Sequence, residues 1–457
     1  MKHFAWRWLV VSSAMIGGFV AGAETRPQYG GTLRVEMRAA PMSLDPADSA
    51  QPDSIARRNL TILMFDTLVT SDENGRLQAS LAASWQVPPS GQRWQFHLRR
   101  GVKFHDGTAL TAELAAASLR TANRSWNVSA DADSVIIELD GADPELPAEL
   151  ALSRNAIVKR TSDGKPSGTG PFHITDWQPG KKLTLAAEEN YWHGRPFLDG
   201  IEIEMGKSSR DQLIALEMGK ADLVEVASEQ SHRVAAEGRL LATSAPIELL
   251  ALVFTRAVTS SDEKLLREAL ALSVERGSIR NVLLQGAGQP AASMLPNWLS
   301  GYAFVFPTDA DLPRARHTRE PVHTIPTWTL AYDSGDPVAR LLAERIALNA
   351  KDAGLSLQPT IASSADLRLA RIPLASTDAW IALLNVAAKT GVPAPKLTGS
   401  SIEDIYSAEQ TELAAQRVIP LFHLPVTYAV TPALKNWRLR LDGSWSLADA
   451  WLGIGKP

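Results

Sequence analysis

Catalysis and metal binding need particular side chains at particular spacings, and this 457-residue chain offers few of them. Its nine histidines are scattered, and no two sit one helical turn apart with a glutamate between them, the spacing that sets two imidazoles on one helix face for zinc. His97 and His105 flank a basic turn, while His317 and His323 fall in an irregular stretch; all four read as surface or hydrogen-bonded residues. The absence of cysteine removes thiolate nucleophiles, thiolate metal sites, disulfides and a lipid-modified N-terminal cysteine. There is no Gly-x-Ser-x-Gly elbow. Glu188 and Glu189 are adjacent, so along a strand their carboxylates point to opposite faces. Gly286 and Gly288 follow a helical pattern rather than joining strand to helix, which argues against a dinucleotide loop. The residues therefore predict no catalytic group, no metal ligands and no cofactor.

Binding chemistry is better served. Trp85, Trp94, Trp177 and Trp192 read as core aromatics. Trp298 and Trp380 lie in irregular or glycine- and proline-flanked segments, where flat aromatic faces can line a groove for peptides or sugars. Trp298, Tyr302, Trp380 and Asn385 are the candidate ligand contacts. Arg99, Arg100 and Lys103 fit an anion patch less well than a solvated hairpin tip. A formal charge of −4 gives no basic footprint for nucleic acid.

The elements that must position these residues follow from pattern. Lys2, His3 and Arg7 precede an apolar run, Trp8 to Val20, and the small residues Ala21-Gly22-Ala23. This predicts a signal peptide over residues 1–23, cut after Ala23, in a run shorter than the roughly 20 residues a membrane span needs. The mature chain is then expected in the periplasm. Leu33, Val35 and Met37 alternate with polar residues and predict a strand. Leu60, Leu63, Met64 and Leu68 predict a helix over 59–69. Short strands are expected at 83–87, 94–98 and 135–139, with a helix capped by Thr111 between them. Further on, helices are expected at 210–220, from Ser261 to an interruption at Gly277, at 337–353 and at 408–416, and strands at 248–255, 327–332, 355–361 and 418–424. The pattern is weak between Ser363 and Ile405. Alternating strands and helices indicate α/β lobes.

Residues 168–203, GTGPFHITDWQPGKKLTLAAEENYWHGRPFLDGIEI, mark a sharp crossing between structural units. Pro171 fixes φ and lacks an N–H, and Gly168 and Gly170 supply backbone angles closed to other residues.

Gly168-Thr169-Gly170-Pro171-Phe172 is one of several blocks that fall in one family's order. The others are Gly31–Val35 with Ser43-Leu44-Asp45-Pro46, Met64–Val69, Leu98–Gly107 with Leu110–Ala112, and Leu266–Leu270 with Gly286–Ala291. Together they resemble the extracytoplasmic solute-binding proteins of family 5, the peptide, nickel and oligosaccharide receptors of ABC importers. The resemblance implies a non-enzymatic, two-lobed periplasmic-binding-protein-like α/β fold (type II, cluster C) with an extra small domain. It places lobe I at 24–65, 169–257 and 426–457, the small domain at 66–168 and lobe II at 258–425, with hinges at Thr255 and Pro425. It implies a monomer that closes on a peptide or related small solute and presents it to a membrane permease. Alternatives are a receptor for an oligosaccharide or metal chelate, or an orphan sensor or chaperone that binds a protein. Peptide-binding members carry a tryptophan followed by an aspartate that pairs with the ligand's amino terminus. The comparable stretch here, Asp378 to Asn385, has no acid after Trp380, and the segment that normally follows is shortened, so an ordinary peptide ligand loses a charged anchor.

Overall fold

A computed structural model describes residues 26–51, 53–160, 166–395 and 401–453. The expected signal peptide lies outside these residues. One mixed sheet of eleven strands forms the spine. At one end, Thr32–Glu36 pairs in parallel with Gly200–Glu204 and Leu223–Val226, and the antiparallel pair Phe172–Gln178 and Lys182–Ala187 extends the edge. At the other end, Leu367–Pro373, Thr327–Ala331 and Ser356–Thr360 lie side by side. Between the two ends run the longest strands, Leu240–Phe254 and Val418–Val430.

These two antiparallel strands belong to both lobes. Leu240–Thr243 faces Thr427–Val430 in the first lobe, and Glu248–Val253 faces Val418–Leu424 in the second. Every residue from Leu249 to Phe254 is buried, because helices cover both faces of the sheet there. Leu250, Leu252 and Phe254 join one core with helices Ser261–Ser273 and Ala339–Asp352. Leu249, Ala251 and Val253 join the other with helices Ala379–Thr390 and Ile402–Ala414. The period of two along the strand thus serves two cores at once.

The small domain is a four-stranded antiparallel sheet, Ala82–Gln86, Arg93–Leu98, Ser134–Glu138 and Asn127–Asp131, covered by helix Ala112–Ala122. Thr111 caps that helix by accepting from Leu114 N. Its core, built on Phe96, Leu119 and Ile137, is separate from that of lobe I.

Several local expectations change. The helix expected at 59–69 spans Ile55–Met64, because Ser54 caps it and Phe65 turns extended; Leu68, in phase with the helix face, is buried in the small domain instead. Ser260, not Ser261, caps the helix at 261–273. That helix stops at Val274, and Gly277 lies inside the next one, Arg276–Val282. The weakly patterned 363–405 stretch holds strand Leu367–Pro373 and helix Ala379–Thr390. Both are buried on two sides, which erases the amphipathic signal.

Candidate functional site: the cleft between the lobes and the node behind it

Three of the recognisable sequence blocks, Met64–Val69, Leu98–Gly107 and Gly168–Phe172, meet around one buried carboxylate, Asp66, where the chain leaves lobe I. Trp192 Nε1 donates to its Oδ2 (2.8 Å), as does Thr169 Oγ1 (3.0 Å), and Tyr191 OH donates to Oδ1 (3.2 Å). Burial pushes the Asp66 carboxyl up to about 6 despite these three donors. Gly170 N donates to Met64 O (3.0 Å), so the outgoing and returning chains lie against each other. A Cβ on Gly168 would stand 1.9 Å from Met64 O, and one on Gly170 2.5 Å from Met64 C. Neither glycine has a positive φ, so close approach rather than unusual backbone angles requires them. His105 reaches across as well, its N donating to Gly168 O (2.8 Å) and its Nε2 meeting Gly170 O (2.9 Å). The Arg99 guanidinium stacks 4.8 Å above the Trp192 ring and donates to Ser80 O (3.1 Å), so it is part of this junction rather than a free hairpin tip. Arg100 remains exposed beside Asp133.

The Ser43–Pro46 loop is held by two arginines. Arg57 donates to the carbonyls of Asp45, Pro46, Asp48 and Gln51, and Arg160 pairs with the Asp45 carboxylate.

The lobes meet where the two long strands cross. Pro246 stands opposite Pro425, with register shifts on either side of Pro246. Prolines donate no hydrogen bond, so the ladder is thinnest at this point. Thr255 lies beyond the end of its strand, donating to Asp366 O (N, 2.9 Å) at the far side of lobe II. The register partner of Pro425 at the crossing is Pro246, which lies within that strand and precedes Thr255.

In front of the crossing lies a cavity of about 460 Å³ walled by both lobes. Lobe I contributes Arg38, Ser54 and Glu225, and lobe II contributes Glu248, Asp336 and Arg371. Arg371 donates to Asp336 (2.7 Å) and Glu248 (3.4 Å), and these acids hold its guanidinium in the charged form against burial. Burial raises Glu225, whose carboxylate accepts from Arg38 N (2.7 Å).

Further out, lobe II closes directly on lobe I and the small domain. Arg58 Nη1 donates to Leu374 O (2.6 Å), Lys389 Nζ to Asp53 Oδ2 (3.0 Å) and Arg154 Nη1 to Asn385 Oδ1 (2.6 Å). Ala148 and Leu152 pack against Ala375, Ile381 and Trp380.

The four candidate ligand contacts divide among three places, and none lines the 460 Å³ cavity. Trp298 Nε1 donates to Pro246 O (2.8 Å) and so braces the crossing strand. Tyr302 is buried inside lobe II with its hydroxyl on Glu409 (2.6 Å). Trp380 and Asn385 face the small domain across the closed interface. The cavity residues Arg371, Glu248 and Glu225 escaped sequence reading because isolated charges in strands look like solvated faces. Among the described residues no group of three potential ligands could hold a metal ion.

Two lobes sharing crossed strands, with a solute-sized cavity between them, define a periplasmic-binding-protein-type receptor. The chain belongs to the bacterial extracellular solute-binding proteins, family 5, whose model matches residues 76–382. It is 23% identical over 368 residues to the nickel-binding protein NikA of Staphylococcus aureus, covering 74% of this chain and 71% of that protein. It is also similar in structure to AgaA in complex with agropinic acid from A. tumefaciens R10 (TM-score 0.79, 19% identity, 93% of this chain and 99% of that one). AppA of Bacillus subtilis in complex with a nonapeptide superposes with a TM-score of 0.77 at 17% identity over 94% of this chain and 100% of that one. Members of this family are solute-binding receptors of ABC importers, and the fold is theirs. No described helix is long and apolar enough to cross a membrane.

Proposed function

We propose that this chain captures a small peptide or a related amine- and carboxylate-bearing solute in the hinge-side cavity, by closing about the Pro246–Pro425 crossing. The closed form is then presented to an ABC permease by a monomeric, non-enzymatic, periplasmic receptor. The carrying observation is the 460 Å³ cavity with walls from both lobes, within the roughly 300–1,000 Å³ usual for small-ligand sites. Walls from two lobes are complete only when the lobes are shut, so ligand binding and closure favour each other. The mix of paired acids and arginines suits a solute with both charges, as a peptide has, and the structurally similar AppA is in complex with a nonapeptide. The test is native mass spectrometry of freshly purified protein, followed by a screen of di- and tripeptides, opines and nickel–histidine. A true ligand raises the melting temperature and reduces the radius of gyration in solution scattering. A full screen with neither a carried-over solute nor compaction would overturn the reading.

A further inference from the structure

We propose that Glu145 and Asp378 form a proton-held latch between the small domain and lobe II, so that closure of the receptor takes up a proton. This rests on the reading that the lobes open and close. Glu145 begins the small-domain helix Leu146–Leu150, and Asp378 caps the lobe II helix Ala379–Thr390 by accepting from Ile381 N (2.9 Å). Both side chains line one small cavity between the small domain and lobe II, so the two carboxyl groups share a confined space across the interface, where a side-chain hydrogen bond links them. Next to Asp378, Thr377 Oγ1 donates to Gly75 O of the small domain (3.3 Å), which fixes the approach.

Among the described residues, the surroundings supply no counter-charge. A cavity of about 110 Å³ beside the pair is lined by Glu145, Asp378 and Asp442, the last from the C-terminal part of lobe I, and by no basic residue. From its own loop, Glu145 faces Asp143, whose Oδ1 accepts from Glu145 N (3.0 Å). The nearest charge on its own helix, Glu149, is already taken by Arg154 (2.7 Å). Two carboxyl groups in contact without a cation are stable only when one is protonated. Burial first, then the Asp378 charge and hydrogen bond, then Asp143, push Glu145 up to about 7 in the closed form. In an open form Asp378 moves away and Glu145 returns towards its ordinary range.

The sign follows from linkage. A carboxyl whose closed-state pKa is raised binds its proton on closure, so closure is favoured at acid pH and loses that support as pH rises through about 7. The closed-to-open ratio should therefore fall on the order of tenfold between pH 5 and pH 8, discounting for partial exposure.

With no native cysteine, Arg124→Cys and Leu348→Cys place one spin label on the exposed surface of the small domain and one on lobe II. Distances are measured by pulsed electron resonance in the full chain without added ligand. The latch predicts a two-state distribution that shifts to the short distance from pH 8 to pH 5. Glu145→Gln should keep the short population at pH 8 and lose most of the shift, and Asp378→Asn, which retains a capping oxygen, should act in the same direction. A two-state distribution with the same pH response in wild type and Glu145→Gln overturns the latch alone. A single distance under every condition, ligand screen included, overturns the hinge reading as well.

Discussion

At the scale of single residues, the second lobe contains a buried carboxyl whose environment is fully specified. Glu409 accepts from Tyr302 OH (2.6 Å), from Leu295 N (3.3 Å) and from Met294 N, and burial pushes its pKa up to about 7. Its pKa in the unfolded chain is lower, so folding takes up a proton at this site. The stability it lends is complete at acid pH and declines as pH rises towards 7. Urea unfolding from pH 5 to pH 7.5 should therefore show a falling midpoint, and Glu409→Gln should flatten that slope; an unchanged slope would refute the assignment. Tyr302 was legible in the sequence as a ligand-groove aromatic, yet its hydroxyl is spent on Glu409, 107 residues away in the chain. A contact of that sequence separation leaves no local spacing to read. The same holds for Asn385, whose amide oxygen is taken by Arg154 of the small domain.

At the scale of elements, the junction around Asp66 explains why the Gly168–Phe172 string is so recognisable. Gly168 and Gly170 admit the Met64 carbonyl, and Thr169 between them donates to Asp66, so three consecutive positions are fixed by one neighbouring turn of chain. Gly168→Ala would drive a methyl group into backbone, and such overpacking costs about 1–3 kcal/mol or more. A melting temperature lowered by several degrees is expected, and wild-type stability in this variant would show that the crossing can relax. The family resemblance was legible here because these residues are neighbours in sequence as well as in space. The crossing of the two long strands was half legible. Pro425 is marked by its own chemistry, but its partner Pro246 emerges only from the antiparallel register of two strands that are far apart in the chain. The strand and helix of lobe II between 363 and 405 were hidden because cores cover both sides, leaving composition without periodicity.

At the scale of the whole molecule, closure is sustained by contacts that join three units. Lys389 is the cation that lobe II extends to Asp53, a carboxylate held well below its usual range by Arg58 and Lys389 although burial opposes this. Lys389→Met removes the interlobe pair and leaves Asp53 with Arg58. An exposed or half-buried pair is worth up to about 1 kcal/mol, so solute affinity should weaken roughly fivefold. The radius of gyration of the ligand-free protein should increase; no change in either measure would assign closure to the apolar contacts of Ala148 and Leu152 alone.

The crossing at Asp66 also sets how this chain can be rebuilt. Lobe II cannot be lifted out, since its sheet is threaded by two strands that lobe I needs. The small domain is different, because its two chain ends are already tied together where Gly170 N meets Met64 O at 3.0 Å. It is a graft with a single stem. Exchanging it for another fold with adjacent termini, such as a fluorescent reporter, would cut neither Leu240–Phe254 nor Val418–Val430.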